Sequence, residues 1–293
     1  ACRVSAPFPA VWRCELVAKR ILVAVIFVPL LIWTMLFLPA IVWTLVVTFI
    51  AAVAAFEFLR AMKVTDHRLI GWTVAAAALI PLLCWAENTV GELEHYNYIY
   101  FPVLLLLIFP FFHSIGTFGR ENEVPVAHLM SCYFAGVVLP LALAALVELK
   151  CMEHGRYLVL LAVLMAFVTD AGAYFVGVFF GKHRGITAVS PNKSLEGYIG
   201  GFVTGVLFAL AYGLVVQAVE QVEVSLPGLA VCGFLGALAT EMGDLAFSYV
   251  KRQMGVKDYG HLLPGHGGML DRFDSMIFCG PVILLCAAVL PML

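Results

Sequence analysis

Long apolar runs dominate this chain, and most polar residues fall in the short segments between them. A helix needs about 20 apolar residues to cross a lipid bilayer, and about nine runs approach that length. Because apolar and polar residues do not alternate within the runs, the pattern predicts helices rather than strands. The predicted spans lie near residues 21–38, 40–59, 70–86, 98–115, 127–147, 157–181, 197–219, 227–250 and 273–292. The sequence therefore predicts an all-α integral membrane protein with about nine transmembrane helices.

The composition supports the same class of protein. Of the 293 residues, 63% are hydrophobic and 12% are charged, and the mean hydropathy is +1.00, whereas soluble domains carry about 25% charged residues. The formal net charge of −2 gives no indication of a nucleic-acid partner. The eight cysteines include no Cys-x-x-Cys pair, so the sequence predicts neither a zinc site nor a disulfide framework.

The distribution of basic residues predicts the orientation in the membrane. Cytoplasmic loops of membrane proteins carry an excess of Lys and Arg. If the N-terminus is cytoplasmic, all of the 17 Lys and Arg residues except Lys150 and Arg156 fall on the cytoplasmic side. An even number of spans would destroy this asymmetry. We therefore expect an odd number of spans and a cytoplasmic N-terminus.

The chain shows no composition break that would indicate separate soluble domains. Residues 1–18 are predicted to be a tail to which the sequence assigns no role, because they lack the apolar core of a signal peptide. Residues 19–293 are predicted to form a single membrane domain. Polar groups are scarce in its first five predicted helices, so we expect residues 19–150 to be a scaffold and residues 151–293 to carry the catalytic groups.

Asp170 is predicted to lie within the membrane, about 16 Å from the cytoplasmic end of its helix at 1.5 Å per residue. A carboxylate at that depth costs at least about 2.5 kcal/mol unless it faces a cavity, a cation or a polar partner. Its helix face continues through Tyr174, Gly177 and Gly181. Close helix packing would explain the glycines, but it would not explain the aspartate. We therefore interpret Asp170 as a functional residue.

A second polar stripe runs along the eighth predicted helix. Glu241, Asp244, Ser248 and Arg252 (or Lys251) recur at the spacing of one helix face. The acidic end of the stripe is deep in the membrane and the basic end is at the cytoplasmic surface. This arrangement suits a metal–phosphate substrate that enters from the cytoplasm. The alternative is an ion pair between the acidic residues and a neighbouring helix.

The loop between the sixth and seventh predicted helices combines positive charge with hydroxyl groups. Lys182 and Lys193 supply the charge, and Ser190 and Ser194 supply donors beside the predicted start of a helix. Helix N-termini and such donors bind phosphate oxygens. The orientation rule alone would also explain basic residues in a cytoplasmic loop, although it does not explain the serines.

The segment 248–274 is the densest in charge and glycine. Gly267 and Gly268 would let the backbone approach an anion closely. Asp271 and Asp274 are three residues apart at the predicted start of the ninth helix, so one turn can direct both towards one point. The alternatives are a helix N-cap for Asp271 and an ordinary turn residue for His266.

The residues of this segment fall at the spacing of a known signature, and the chain resembles the bacterial type of the phosphatidate cytidylyltransferase (CDP-diacylglycerol synthase) family. The matching residues are Ser248, Lys251, Arg252, Lys257, Asp258, Gly260, Pro264, His266, Gly267, Gly268, Asp271, Arg272 and Asp274. A second family motif, SPxKSxEG, is matched from Ser190 to Gly197. The sequences around Asp170 and Asp244 are further matches, and the resemblance covers about residues 19–293.

The resemblance implies that CTP and phosphatidic acid react to give CDP-diacylglycerol and pyrophosphate. It further implies a Mg²⁺-dependent homodimer that works at the cytoplasmic face of the bacterial inner membrane. On this basis we predict Mg²⁺ ligands at Asp244 and Asp271, supported by Ser248 and Asp170. The predicted substrate-binding residues are Ser190, Lys193, Ser194, Lys182, Lys257, Gly267 and Gly268. The other predicted catalytic residues are Lys251, Arg252, Arg272 and His266, of which the first three are expected to bind lipid phosphate or pyrophosphate.

Two other functions stay open on the sequence alone. A secondary transporter or divalent-cation channel would also need carboxylates within the membrane, such as Asp170, Glu241 and Asp244. Its basic loops would, however, repel a cation. A lipid kinase that uses CTP as phosphoryl donor would differ in its products, which would be a phospholipid and CDP.

Overall fold

The computed structural model describes residues 28–90, 97–262, 267–290 and 292. Within these ranges the chain forms nine helices: α1 (described over Val28–Phe37), α2 (Ala40–Ala61), α3 (His67–Thr89), α4 (Tyr100–Thr117), α5 (Val126–Cys151), α6 (Gly155–Phe180), α7 (Leu195–Glu220), α8 (Leu226–Gln253) and α9 (Leu270–Val289). Eight of these, α2 to α9, are long and apolar enough to cross a membrane. The described ranges contain no strand, only an isolated bridge between Arg184 and Ser194. The predicted all-α membrane fold is therefore confirmed.

The predicted spans agree with the helices to within a few residues. The largest differences are at α3, which is longer than predicted at 23 residues, and at α5, whose 26 residues extend to Cys151. The first predicted span lies partly, and the tail 1–18 wholly, outside the described residues. Helix starts follow the expected capping chemistry, because Asp66, Ser194 and Ser225 each accept a backbone N–H from the first turn of the helix that follows.

The surface of the helix bundle is apolar, as a lipid-exposed surface must be. Large side chains such as Phe37, Phe112 and Phe179 are more than two-thirds exposed. The interior is formed where α2, α5, α6 and α9 pack around fully buried residues such as Trp43, whose Nε1 donates to the carbonyl oxygen of Leu146 at 3.1 Å. The multi-pass arrangement therefore buries one side of each helix and leaves the other for lipid.

Glycines bring α6, α7 and α8 into close contact. A Cβ added to Gly197 would lie 2.9 Å from the carbonyl oxygen of Ala173, and one added to Gly205 would lie 2.8 Å from the Cβ of Ala237. Small residues at membrane helix contacts allow this close approach. Gly177 packs in the same way against Gly197, so the packing interpretation of the glycines near Asp170 holds. The helices that carry Asp170, Glu241 and Asp244 are consequently neighbours.

Antiparallel connections place several loops at one end of the bundle. The segments after α2, α6 and α8 all emerge at this end, and contacts between residues far apart in sequence connect them. The two loops that the sequence predicts to bind phosphate, 181–194 and 254–269, are therefore on the same side of the protein.

Candidate active site

Lys193 connects the α6–α7 loop to the acidic residues of α8. Its Nζ lies 2.7 Å from Oε2 of Glu241 and 2.7 Å from Oδ2 of Asp244. Glu241 is only 3% exposed, and Gly201 of α7 leaves room for it, since a Cβ there would lie 2.7 Å from Oε1 of Glu241. Glu241 and Asp244 therefore do form an ion pair, as the alternative interpretation of the polar stripe predicts. Their partner, Lys193, is on a loop and not on a neighbouring helix.

The two carboxylates keep Lys193 charged. Burial alone would lower the pKa of Lys193, but the charges of Asp244 and Glu241 outweigh this effect and raise its pKa above the usual value. The ammonium group also lies 5.1 Å from the centre of the Tyr198 ring, which adds a cation–π contact. A positive charge is therefore held between the two carboxylates of α8.

A cavity of about 420 Å³ opens beside this lysine. Its walls come from α6, the α6–α7 loop, the start of α7 and α8, and they include Asp170, Tyr174, Arg184, Lys193 and Asp244. Ligand cavities in proteins commonly measure about 300–1,000 Å³. The cavity therefore has room for a small molecule beside a buried cation and several carboxylates.

A second cluster lies where α8 ends and α9 begins. Nζ of Lys251 is 2.9 Å from Oδ1 of Asp271 and 3.8 Å from Oδ2 of Asp274. The prediction that one turn of α9 directs both aspartates to one point agrees with this geometry. Lys251 also lies 5.5 Å from the centre of the Tyr259 ring. Burial and the neighbouring Asp271 raise the pKa of Tyr259, so this side chain stays a neutral phenol.

Asp271 holds the glycine-rich loop in place. It is 8% exposed, and its Oδ2 accepts the backbone N–H groups of Tyr259 at 2.8 Å and Gly268 at 3.0 Å. Gly267 has a left-handed φ of 85°, and a Cβ there would lie 3.1 Å from Oδ2 of Asp271. The close backbone approach predicted for Gly267 and Gly268 is thus made to a carboxylate of the protein itself in this structure.

Asp170 links the two clusters. Its Oδ2 accepts a hydrogen bond of 3.0 Å from Oγ of Ser275, the residue that follows Asp274 on α9. Asp170 and Asp244 also line the same cavity. Asp170, Asp244 and Asp271 therefore belong to one connected polar region at one end of the bundle, as the sequence analysis requires.

Close packing at Gly243 holds this region together. A Cβ on Gly243 would lie 2.9 Å from the backbone oxygen of Asp274 and 3.1 Å from Cα of Ser275. Both neighbours are backbone atoms, so they cannot move aside as a flexible side chain would.

We expect Gly243→Ala to separate α8 from α9, to lower stability by about 1–3 kcal/mol and to reduce activity. Thermal unfolding in detergent micelles and turnover measure the two effects. Gly71→Ala is the matched control, because Gly71 is also within a helix, α3, and nothing lies within 4 Å of a Cβ at that position. A Gly243→Ala protein as stable and active as the Gly71→Ala protein would contradict the packing argument.

The carboxylates have the chemistry of a Mg²⁺ site, although they are not preassembled as one. Among the residues that the structure describes, no three Asp, Glu, His or Cys side chains form a ready-made metal-binding group. Mg²⁺, however, is commonly bound by one or two carboxylates together with water and substrate phosphates. Each acidic pair already attracts one ammonium group, that of Lys193 or Lys251. The donors fit Mg²⁺ if the ion arrives with phosphate and takes the place of a lysine.

The remaining predicted residues surround these clusters. Ser194 is buried and its Oγ accepts the N–H of Gly197 at 3.2 Å, so it caps α7. Ser190 and Ser248 are half-buried, the latter one turn beyond Asp244. The exposed cations are Lys182, Arg252, Lys257 and Arg272. His266, predicted to be catalytic, lies outside the described residues together with Leu263, Pro264 and Gly265.

Sequence reasoning missed one buried carboxylate of the N-terminal half. Glu57 of α2 is 5% exposed and accepts the backbone N–H groups of Met269 and Leu270, at 3.1 Å and 2.8 Å. The expectation that polar groups are almost confined to the last four helices is therefore incomplete. The available signal was a single glutamate in an otherwise apolar predicted span, which costs energy in a membrane unless it has a partner.

Comparison with known proteins yields one family. The profile of the Cytidylyltransferase family matches residues 18–290. A Bacillus subtilis protein named phosphatidate cytidylyltransferase is 31% identical over 243 residues, which cover 81% of this chain and 85% of that protein. Proteins of the same name from Staphylococcus saprophyticus and Staphylococcus aureus are 39% and 41% identical over 131 residues. These alignments cover 45% of this chain and 49% of each Staphylococcus protein, so they span about half the length of those relatives.

Proposed function

Because this chain belongs to the cytidylyltransferase family, we propose that it transfers the cytidylyl group of CTP to phosphatidic acid. An oxygen of the lipid phosphate attacks the α-phosphorus of CTP, the bond to the β-phosphate breaks, and the products are CDP-diacylglycerol and pyrophosphate. The observation that carries the proposal is the half-buried ammonium of Lys193 on the α6–α7 loop, which lies against two carboxylates at the wall of a cavity.

The main task of such a site is to bring two polyanions together. The lipid phosphate is already anionic near neutral pH, so the nucleophile needs no strong general base. Two like unit charges 4 Å apart repel by about 4 kcal/mol at an effective dielectric constant of 20. Fixed cations in a partly water-excluded cavity offset such repulsion and stabilise the charge of the leaving pyrophosphate. Lys193 and Lys251 provide two such cations.

The triphosphate of CTP would bind at the α6–α7 loop. Lys193 leads this set, with Ser190, Ser194 and Lys182 around it. Lys193 contacts both Asp244 and Glu241. On CTP binding it would turn from these carboxylates to phosphate oxygens, and the carboxylates would become available to a metal ion. Because Glu241 is deeply buried, leaving it without a counter-charge would cost much energy. We therefore expect the departure of Lys193 and the binding of the metal ion to be coupled.

The phosphate of the lipid, or the departing pyrophosphate, would bind at the start of α9. Lys251 is fixed there by Asp271, and Arg252 and Arg272, which follow these two residues in the sequence, are exposed. Lys257 and the backbone of the glycine-rich loop complete the predicted contacts. Substitution of an exposed arginine here would weaken binding of the anion more than it would change the fold.

We propose Mg²⁺ as the cofactor, held by Asp244 and Asp271 with support from Ser248 and Asp170. When bound, Mg²⁺ neutralises phosphate charge and makes the α-phosphorus a better electrophile. The chain's own part is to hold these oxygens at one point. Asp271 does so through its bonds to the glycine-rich loop, and Asp170 does so through Ser275.

We further propose that the site faces the cytoplasm of a bacterial inner membrane and that the protein is a homodimer. The basic residues concentrated at this end of the bundle support the orientation. Tyr174 and Val178 line the edge of the cavity and are more than half exposed on the apolar flank of α6. A lipid headgroup would reach the cavity from that side while its acyl chains stay in the bilayer.

A nucleotide screen with purified protein in lipid–detergent micelles tests the proposed reaction. We expect pyrophosphate release that requires CTP, phosphatidic acid and Mg²⁺ together. Replacing phosphatidic acid with diacylglycerol is the control for a CTP-dependent lipid kinase. Formation of CDP with diacylglycerol, or no pyrophosphate under any condition, would contradict the proposal.

A further inference from the structure

Glu57 of α2 connects the N-terminal half of the chain to the start of α9. Both oxygens of its carboxylate accept backbone N–H groups, Oε1 from Met269 and Oε2 from Leu270. These two residues are the cap and the first position of α9. The first N–H groups of a helix have no partner within the helix, and the helix dipole favours a negative charge at this end. Glu57 therefore satisfies and stabilises the start of α9 from a different helix.

The glycine-rich loop is shaped around this carboxylate. A Cβ on Gly260 would lie 2.2 Å from Oε1 of Glu57, and a Cβ on Gly268 would lie 2.4 Å from Oε2. Real Cβ atoms do not come that close, so both positions require glycine as long as Glu57 occupies its present place. Two separate parts of the loop thus enclose one side chain from α2.

The backbone groups that Glu57 binds are next to the acidic residues of α9 in the sequence. The turn that begins at Leu270 carries Asp271 and Asp274, and Asp271 contacts Gly268, Tyr259 and Lys251. Movement of the start of α9 would therefore shift both aspartates relative to Asp244 on α8. By contrast, Lys193 and the α6–α7 loop make no contact with Glu57 among the described residues.

We propose that Glu57 is a positioning residue, which fixes the first turn of α9 so that Asp271 and Asp274 face Asp244 and the substrate phosphates. This inference rests on the proposed function, and it gives the N-terminal half a direct role in the chemistry. It predicts that loss of Glu57 impairs the use of Mg²⁺ and the reaction rate, while the binding of CTP at the α6–α7 loop is largely kept.

Glu57→Gln is the sharpest test. The substitution keeps the size of the side chain but replaces one acceptor oxygen by an NH₂ group, which faces a backbone N–H. We expect kcat to fall by about 10-fold or more, the Mg²⁺ concentration for half-maximal rate to rise several-fold, and KM for CTP to change by less than about 3-fold. A merely structural role would reduce the yield of folded protein but leave the Mg²⁺ requirement of the folded fraction unchanged.

Hydrogen exchange gives a readout that needs neither metal nor substrate. In Glu57→Gln, peptides covering residues 268–275 are expected to exchange faster than in the wild type. Glu148→Gln is the matched control, because Glu148 is a half-buried glutamate of α5 near the opposite end of the bundle. It is expected to leave both exchange and the Mg²⁺ requirement unchanged.

The outcomes separate this inference from the proposed function. If the wild type fails to release pyrophosphate from CTP and phosphatidic acid, the proposed function is wrong. If the wild type is active and Glu57→Gln matches it in kcat, Mg²⁺ requirement and exchange, the role of Glu57 is wrong. Should Glu57→Gln not yield folded protein, Glu57→Asp serves the same test, because it keeps the charge but is one methylene too short to reach both N–H groups.

Discussion

In Asp271→Asn, turnover is expected to fall by about 100-fold or more while the protein still inserts and folds. The substitution removes the negative charge that would face Mg²⁺, and it replaces one acceptor oxygen by an NH₂ group. Both oxygens have partners in this structure. Oδ1 pairs with Nζ of Lys251, and Oδ2 accepts the backbone N–H groups of Tyr259 and Gly268, so an NH₂ group in either place loses at least one contact. Pyrophosphate release at increasing Mg²⁺ concentration measures the effect, and added Mg²⁺ is not expected to restore the rate.

Asp66→Asn is the matched control for Asp271→Asn. Asp66 is also an aspartate at the start of a helix, and it accepts the backbone N–H groups of Arg68 and Leu69. Oδ2 of Asp66 also lies 2.7 Å from Nε2 of His113. Asparagine is an equally good helix cap, so the control should lose little more than this one contact and should keep its activity within about 2-fold. An Asp271→Asn protein with a near wild-type rate at saturating Mg²⁺ would remove Asp271 from the metal site.

The helical fold was predictable because its signal is strong in every segment. A bilayer demands long apolar helices, so each of α2 to α9 corresponds to a predicted span. Details set by local chemistry were predictable as well. Ser194, for example, has the side chain of a helix cap and caps α7. The limits of α3 and α5 were less predictable, because these helices end in polar residues such as Arg68, Glu87 and Lys150, which an apolar pattern does not include.

The site was predictable in its members more than in its contacts. The spacing of Asp271 and Asp274 was enough to predict that one turn directs both towards one point, and both do face Lys251. No sequence pattern indicates that Lys193 would pair with Asp244 and with Glu241, which is 48 residues further along the chain. Such a pairing depends on how α6, α7 and α8 pack, and only the structure defines it.

Glu57 shows why the remaining part could not be predicted. Its partners, Met269 and Leu270, are more than 200 residues away and contribute only backbone N–H groups. Every residue except proline has a backbone N–H group, so the sequence does not show which of these groups a carboxylate will bind. Gly268 was visible, but it was interpreted as room for an anion, whereas it leaves room for the carboxylate of Glu57.

Lys193→Met is expected to have the second large effect, and it acts on both stability and catalysis. Removal of the ammonium leaves Glu241, 3% exposed, and Asp244 without their counter-charge. Breaking a buried ion pair by removing one partner typically costs about 3–5 kcal/mol. The same change removes the cation proposed to bind the triphosphate, so turnover should fall by about 100-fold or more and KM for CTP should rise.

The double variant Lys193→Met/Glu241→Gln separates these two consequences. Neutralising Glu241 should recover much of the lost stability, since one uncompensated buried charge is removed, and thermal unfolding in micelles measures this recovery. Turnover should not recover, because the phosphate-binding cation is still absent. Lys63→Met is the control for loss of a lysine at the same end of the bundle, where Lys63 is exposed in the loop after α2. If the double variant regained wild-type turnover, Lys193 would be only a structural counter-charge and would have no role in binding CTP.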